Sequence, residues 1–168
     1  MSKTSLKAFF GVASVAVLVL LAGPRPVSGQ GAAAAESKQL VGTWNVTLHF
    51  PACTAACPCP GGVPNIPIPA LHAYLQHGSI LEISGGSPLR GPGVGSWERV
   101  DDHQFTARFK FFLFNPDGSR RGSEEITNHI ELTGPDAFEA NATFDLFDAA
   151  GNMTGQGCAI NESAARFQ

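Results

Sequence analysis

The sequence predicts an all-β protein, an eight-stranded antiparallel up-and-down barrel, and three observations predict it. From residue 39 onward apolar and polar side chains alternate with a period of two, and no stretch holds helical spacing. Turn formers interrupt that alternation at short intervals, with 19 Gly and 12 Pro spread through the chain without a fixed repeat. The links between segments are mostly short, which favours strands that neighbour each other in chain order. Closing such a set into a barrel removes the two exposed edges that an open sheet would leave. A β-sandwich of the same strands is the alternative architecture.

The elements follow in order. Leu40 to Phe50 alternates cleanly, with Trp44, Val46, Leu48 and Phe50 on one face and Thr43, Asn45, Thr47 and His49 on the other. A Cys/Pro/Gly loop runs from Pro51 to about Ile68. Ala70 to Gln76 and Ser79 to Ser84 form two short strands around His77-Gly78, and a second Gly/Pro loop spans Gly85 to Gly93. Val94 to Val100 carries Trp97, and Asp101-Asp102 turns the chain into Gln104–Phe114, the most aromatic strand. Asn115-Pro116-Asp117-Gly118 is a strong turn signal. Ser123 to Leu132, Phe138 to Phe147 and Met153 to Ile160 complete the set, divided by Gly134-Pro135-Asp136 and Ala149-Ala150-Gly151-Asn152.

The N-terminus reads as an export signal covering residues 1–29. Lys3 and Lys7 precede an uncharged, mostly apolar run of 16 residues from Ala8 to Gly23, short of the roughly 20 that a membrane-spanning helix needs. Pro24 and Pro26 end the run, and Val27-Ser28-Gly29 offers small residues for cleavage. Residues 30–38 form a flexible leader, and 39–168 a single domain. Removing Lys3, Lys7 and Arg25 takes the net charge from −3 to −6. The chain is therefore expected to be secreted or periplasmic, and free of the membrane after cleavage. Only 15% of residues are charged and the balance is acidic, so there is no electrostatic footprint for nucleic acid.

Four cysteines, Cys53, Cys57, Cys59 and Cys158, allow three pairings. The barrel favours Cys53 with Cys158, because the first and last strands become neighbours on closure. Such a bridge closes a loop of roughly a hundred residues and stabilises by about 2–4 kcal/mol. It leaves Cys57-Pro58-Cys59 as a strained bridge or two thiols. A metal site on the loop cysteines with His49 is the alternative, although the C-x3-C-x-C spacing matches no standard zinc motif.

Leu40-Val41-Gly42-Thr43-Trp44 opens the first strand with G-x-W, and Arg166 follows the last strand. This pattern resembles that of the lipocalins and broader calycins. The resemblance implies that Trp44 packs over the closed barrel end and that Arg166 lies across its ring. The chain departs from lipocalins in having no T-D-Y-type segment and no room for a helix after the last strand. It is more similar to small exported bacterial proteins that share the G-T-W opening, a Cys after the first strand, an F-L-F-N-P-x-G turn (Phe112 to Gly118) and a G-C in the last strand (Gly157-Cys158). That likeness spans roughly residues 39–168 and implies no established activity. Haem barrels of the nitrobindin type also carry G-T-W, but Val46-Thr47-Leu48 stands where they need Gly-x-Gly, so no cofactor is expected.

The apolar faces supply a wall that includes Leu71, Leu75, Leu81 and Ile83 beside Phe105, Phe109, Phe111, Ile126 and Ile130. Small residues at Ala107, Ala140 and Ala142 leave volume, and Tyr74, Trp97 and Asn128 project inward. Asn128 is in phase with Ile126 and Ile130, and an inward amide must find a partner. The expected function is therefore non-catalytic binding of a small, largely apolar molecule by Trp44, Tyr74, Trp97, Phe109, Phe111 and Asn128. The sequence shows no nucleophile elbow, Ser-His-Asp order or H-E-x-x-H, so no catalytic residue is assigned. Two alternatives stand beside it: a filled barrel acting as a structural or interaction module, and an interior cyclase or isomerase using His72, Tyr74 or Asn128. Arg90, between Gly85-Gly86 and Gly91-Pro92-Gly93, reads as part of a flexible rim or as an anion grip at the mouth.

Overall fold

Eight antiparallel strands pair strictly in chain order, and β1 (Gly42–His49) closes the ring by pairing with β8 (Met153–Arg166). Between them lie β2 (Ile68–Leu75), β3 (Ser79–Ser84), β4 (Gly93–Arg99), β5 (Gln104–Phe114), β6 (Arg120–Gly134) and β7 (Ala137–Asp148). The computed structural model describes residues 40–50 and 67–168, with the side chains of Cys158 and Ala159 excepted. The export signal, the leader, Cys53, Cys57, Cys59 and hence the Cys53–Cys158 pairing lie outside the described residues. The closed up-and-down barrel is the architecture that the alternation predicts, and the sandwich is not formed.

Period two places every second residue inside. On β1 these are Trp44, Val46 and Leu48, as expected. Residues opposite each other on antiparallel strands share a face. Trp44 stands opposite His72, Val46 opposite Ala70, and Gly42 opposite Tyr74, so β2 turns Ala70, His72 and Tyr74 inward. Leu71 and Leu75 therefore face out, at 41% and 51% exposure, contrary to their expected place in the wall. The same correction holds for β3, where Ile80 and Glu82 are inside while Leu81 and Ile83 are outside. Assigning Tyr74 and Leu75 to one interior was incompatible with alternation, and the register with β1 decides for Tyr74.

A second correction concerns the end of the chain. The last strand does not stop at Ile160 but continues to Arg166, so Ile160, Glu162 and Ala164 all project inward. Arg166 belongs to β8 itself and stands directly opposite Trp44.

One end of the barrel is plugged by rings. Trp44 meets Phe138 edge-on at 5.0 Å, Phe138 meets Tyr74 at 6.1 Å, Tyr74 meets Trp97 at 6.2 Å, and Trp97 meets Phe105 at 5.8 Å. Such edge-to-face pairs are each worth about 0.5–1.5 kcal/mol beyond area burial. Both indole N–H groups are satisfied by backbone, Trp44 donating to the Leu40 carbonyl at 2.9 Å and Trp97 to the Leu75 carbonyl at 3.0 Å. Arg166 seals the plug from outside. Its guanidinium lies 4.2 Å from the Trp44 ring and donates to the carbonyls of Val41 and Pro135, while its Nε donates to Asp136. Gly42 makes the approach feasible, since a Cβ there would lie 2.7 Å from the guanidinium and its φ of +139° suits glycine.

Replacing Arg166 by Ala removes the stacked cation and these hydrogen bonds together. We expect a loss of about 1–3 kcal/mol in urea-unfolding stability, with Arg166→Lys recovering only part of it, because an ammonium cannot reproduce the planar fork.

Candidate functional site

The opposite end of the barrel is open to a cup of about 290 Å³. The chain makes this asymmetry locally. Large rings occupy the plugged end, whereas at Gly93 of β4 the missing side chain admits Glu82 and Phe109, both of which line the cup: a Cβ there would come within 2.8 Å of each. Leu48, Phe109, Phe111, Ile126 and Ile160 wall the cup, and Gly86, Ser87, Leu89 and Arg121 contribute at its rim.

The six residues expected to bind a ligand separate into three levels. Phe109 and Phe111 line the cup. Tyr74 and Asn128 are fully buried, and each bonds to a residue that lines it. Trp44 and Trp97 sit in the plug at the far end, where their rings close the barrel. Asn128 does find the partner that an inward amide requires: its Nδ2 donates to Glu162 Oε2 at 3.0 Å. The small inward positions Ala107, Ala140 and Ala142 are all buried.

The polar floor of the cup is built by residues that alternation along β2, β3 and β8 turns inward. The Tyr74 hydroxyl lies 3.2 Å from His72 Nδ1, which in turn is 3.9 Å from Glu162 Oε2. Burial, reinforced by the positive charge of Arg90, holds the His72 imidazole neutral, with its pKa lowered to about 3. We assign the neutral tautomer that leaves Nδ1 bare to accept the Tyr74 proton. Burial likewise pushes the Tyr74 hydroxyl well above its ordinary range, and the nearby Glu162 adds to this. Glu162 is raised to about 8, chiefly by burial and further by the charge of Glu82, against the opposing pull of Asn128 and Arg90. At neutral pH the floor thus holds a protonated carboxyl beside a neutral imidazole.

Glu82 completes the set at 1% exposure. Its Oε1 accepts from Arg90 at 2.7 Å, while Oε2 has no hydrogen-bond partner. Burial raises its pKa, and the bond and charge of Arg90, together with the nearby Gly93 backbone N–H, oppose the rise. Arg90 is drawn into the mouth, its guanidinium 3.4 Å from the centre of the Phe111 ring. That placement makes it neither a loose rim residue nor a spare anion grip, because its charge is committed to Glu82. Glu124, nearer the rim, is pushed up to about 7 by burial, with Arg90 opposing.

Glu82 and Glu162 were not foreseen. The signal for Glu162 was present, since Ile160, Glu162, Ala164 and Arg166 continue the period of two. Glu82 was hidden by its more hydrophobic neighbours Leu81 and Ile83. Among the described residues no group of three or more His, Cys, Asp or Glu side chains converges to hold a metal, and the loop cysteines lie outside those residues. Comparison with protein-family models, curated proteins and solved structures finds no match.

The buried groups make stability depend on pH with a definite sign. Folded Glu162 keeps its proton up to about pH 8, against 4.5 when unfolded, so its contribution is lost as pH rises through that window. His72 works the other way, from about 3 folded to 6.5 unfolded, so its contribution grows as pH rises to 6.5. Above pH 6.5 the carboxyls act alone. The melting temperature should fall between pH 6.5 and about 8, by the equivalent of about 1–2 kcal/mol, and Glu162→Gln should flatten that fall. A level profile in the unmodified protein would contradict the burial of a protonated Glu162.

Proposed function

We propose that the protein is a non-catalytic, lipocalin-like binder that takes a small, largely apolar molecule into the open cup. The carrying observation is an apolar-walled cavity of about 290 Å³ at one end of a closed barrel, with convergent polar groups at its floor. Binding sites usually combine such walls with a few placed polar groups, and the volume lies near the lower bound of about 300 Å³. Phe109 and Phe111 contact the ligand body in this reading. Tyr74 and Asn128 act through His72 and Glu162, and Trp44 and Trp97 serve the barrel end.

Native mass spectrometry of the purified full-length gene product, before and after denaturation, tests the reading directly. A small molecule that leaves on denaturation is expected. The same spectra read cleavage after Gly29 and the mass loss of a Cys53–Cys158 bridge, which belong to the proposal of an exported protein. A neutral environment-sensitive fluorophore, N-phenylnaphthylamine, supplies a second readout. It should brighten on binding, and Ile126→Trp, which fills the cup, should weaken it by about tenfold or more. Unchanged binding in that variant would place the probe elsewhere.

Two other readings each have an observation in their favour. The floor cluster of His72, Tyr74, Glu162 and Asn128 is what an interior cyclase or isomerase would need for proton transfer. The outer face of β2–β4 carries Leu71 opposite Ile83 and Leu81 opposite Val94, with Ile83 at 53% and Val94 at 62% exposure. That patch suits an interaction module. Sedimentation velocity of the protein and of Ile83→Lys separates this from internal binding: loss of an assembly in the variant favours the outer face.

A further inference from the structure

The chemistry of the cup constrains its occupant beyond being apolar. Among the described residues, the only buried side-chain polar atoms left without a hydrogen-bond partner are two oxygens, Glu82 Oε2 and Asn128 Oδ1. Leaving a buried acceptor unpaired costs about 1–3 kcal/mol, so the site is incomplete in a particular sense: it lacks donors. Glu162 reinforces this. Its cross-strand neighbours on β1 and β7 are Leu48 and Ala140, both apolar, and its bond from Asn128 is its one hydrogen bond among the described residues.

We propose, building on the reading of the cup as a binding cavity, that the occupant is an amphipathic organic cation: an apolar body bearing one ammonium, whose N–H groups donate to Glu162 and to the unpaired oxygen of Glu82. An anionic head finds no free partner inside, because Arg90 is bonded to Glu82 and stacked on Phe111. Arg121, exposed at the rim, is the cup's other cation and acts on Glu124 only through its charge. Of the three carboxyl groups in the cup, Glu82, Glu124 and Glu162, the last is protonated until a cation arrives, so the preference rests on the acceptor oxygens and not on net charge. The uncharged His72 and Tyr74 on β2 face Glu162 without supplying a counter-ion. Phe109 sets an aromatic ring in the cup beside His72, with the two ring centres 5.8 Å apart. In the empty cup Glu162 carries a proton. An arriving ammonium replaces that proton: the Glu162 O–H bond breaks, the carboxylate pairs with the cation, and one H⁺ passes to solvent.

The test uses three probes with one aromatic body and different heads: 2-phenylethylammonium, 2-phenylethanol and 3-phenylpropionate. Calorimetry of the purified protein should show the ammonium binding about tenfold or more tightly than either of the others. Its affinity should weaken as pH falls from about 9 to about 6, because a proton must then be expelled, and heats in buffers of different ionisation enthalpy should report that release. Glu162→Gln should erase the pH dependence and most of the preference while still binding the alcohol, and Glu82→Gln should weaken the ammonium alone. Equal or tighter binding of the alcohol or the carboxylate overturns the cation and leaves the apolar cup standing. Binding of none of the three, with N-phenylnaphthylamine also excluded, overturns both. Ammonium affinity that is unchanged in Glu162→Gln also overturns the assignment.

Discussion

Closure of β1 against β8 is the constraint from which the rest follows. In an open sheet each strand can choose its buried face against local neighbours. In a closed ring all eight strands share one interior, so one residue's phase propagates through every register. Trp44 sets that phase. Being inside, it commits His72 and Tyr74 across β2 and places the inward row of β8 beneath Arg166. The Arg166–Trp44 stack therefore does more than cap an end: it lies where the first and last strands meet, and it joins chain segments more than a hundred residues apart.

The same closure explains why polar groups stand in the core. His72, Glu82 and Glu162 occupy inward positions because alternation allows no other, and each then loses most of its hydration. The interior responds by neutralising charge. The imidazole gives up its proton, the Glu162 carboxyl keeps one, and the charge that remains is concentrated on the Glu82–Arg90 pair. A buried pair of that kind is held by geometry as well as by attraction, and the Phe111 ring beneath the guanidinium supplies part of it. The oxygens left over are what the proposed preference of the cup rests on. A core selected only for stability would more readily fill these positions with aliphatic side chains.

Legibility from sequence followed the strength of the local pattern. β1 was readable because its alternation is uninterrupted and its Trp is unambiguous. β5 and β6 were readable because long amphipathic runs average out exceptions, and Asn128 was placed inside from its phase with Ile126 and Ile130 alone. β2 and β3 were misread where hydrophobicity and phase disagree. Leu71 and Leu81 are more apolar than the His72 and Glu82 beside them, and a pattern weighted by hydrophobicity buries the leucines. Only the hydrogen-bonded register with β1 reverses the choice. The end of β8 was missed for a related reason, since Asn161-Glu162-Ser163 looks like a polar tail until β1 and β7 are seen to flank it.

By itself the sequence determined the class of architecture and the number and order of its strands. These depend on nearest-neighbour alternation and turn chemistry, which are local properties of a chain. The tertiary structure alone decided which face of the short strands looks inward, that one end of the barrel stays open, and that Glu82, Glu162, His72 and Arg90 meet there. Those outcomes depend on register between distant strands and on the loss of water around charged groups, and neither quantity exists until the ring has closed.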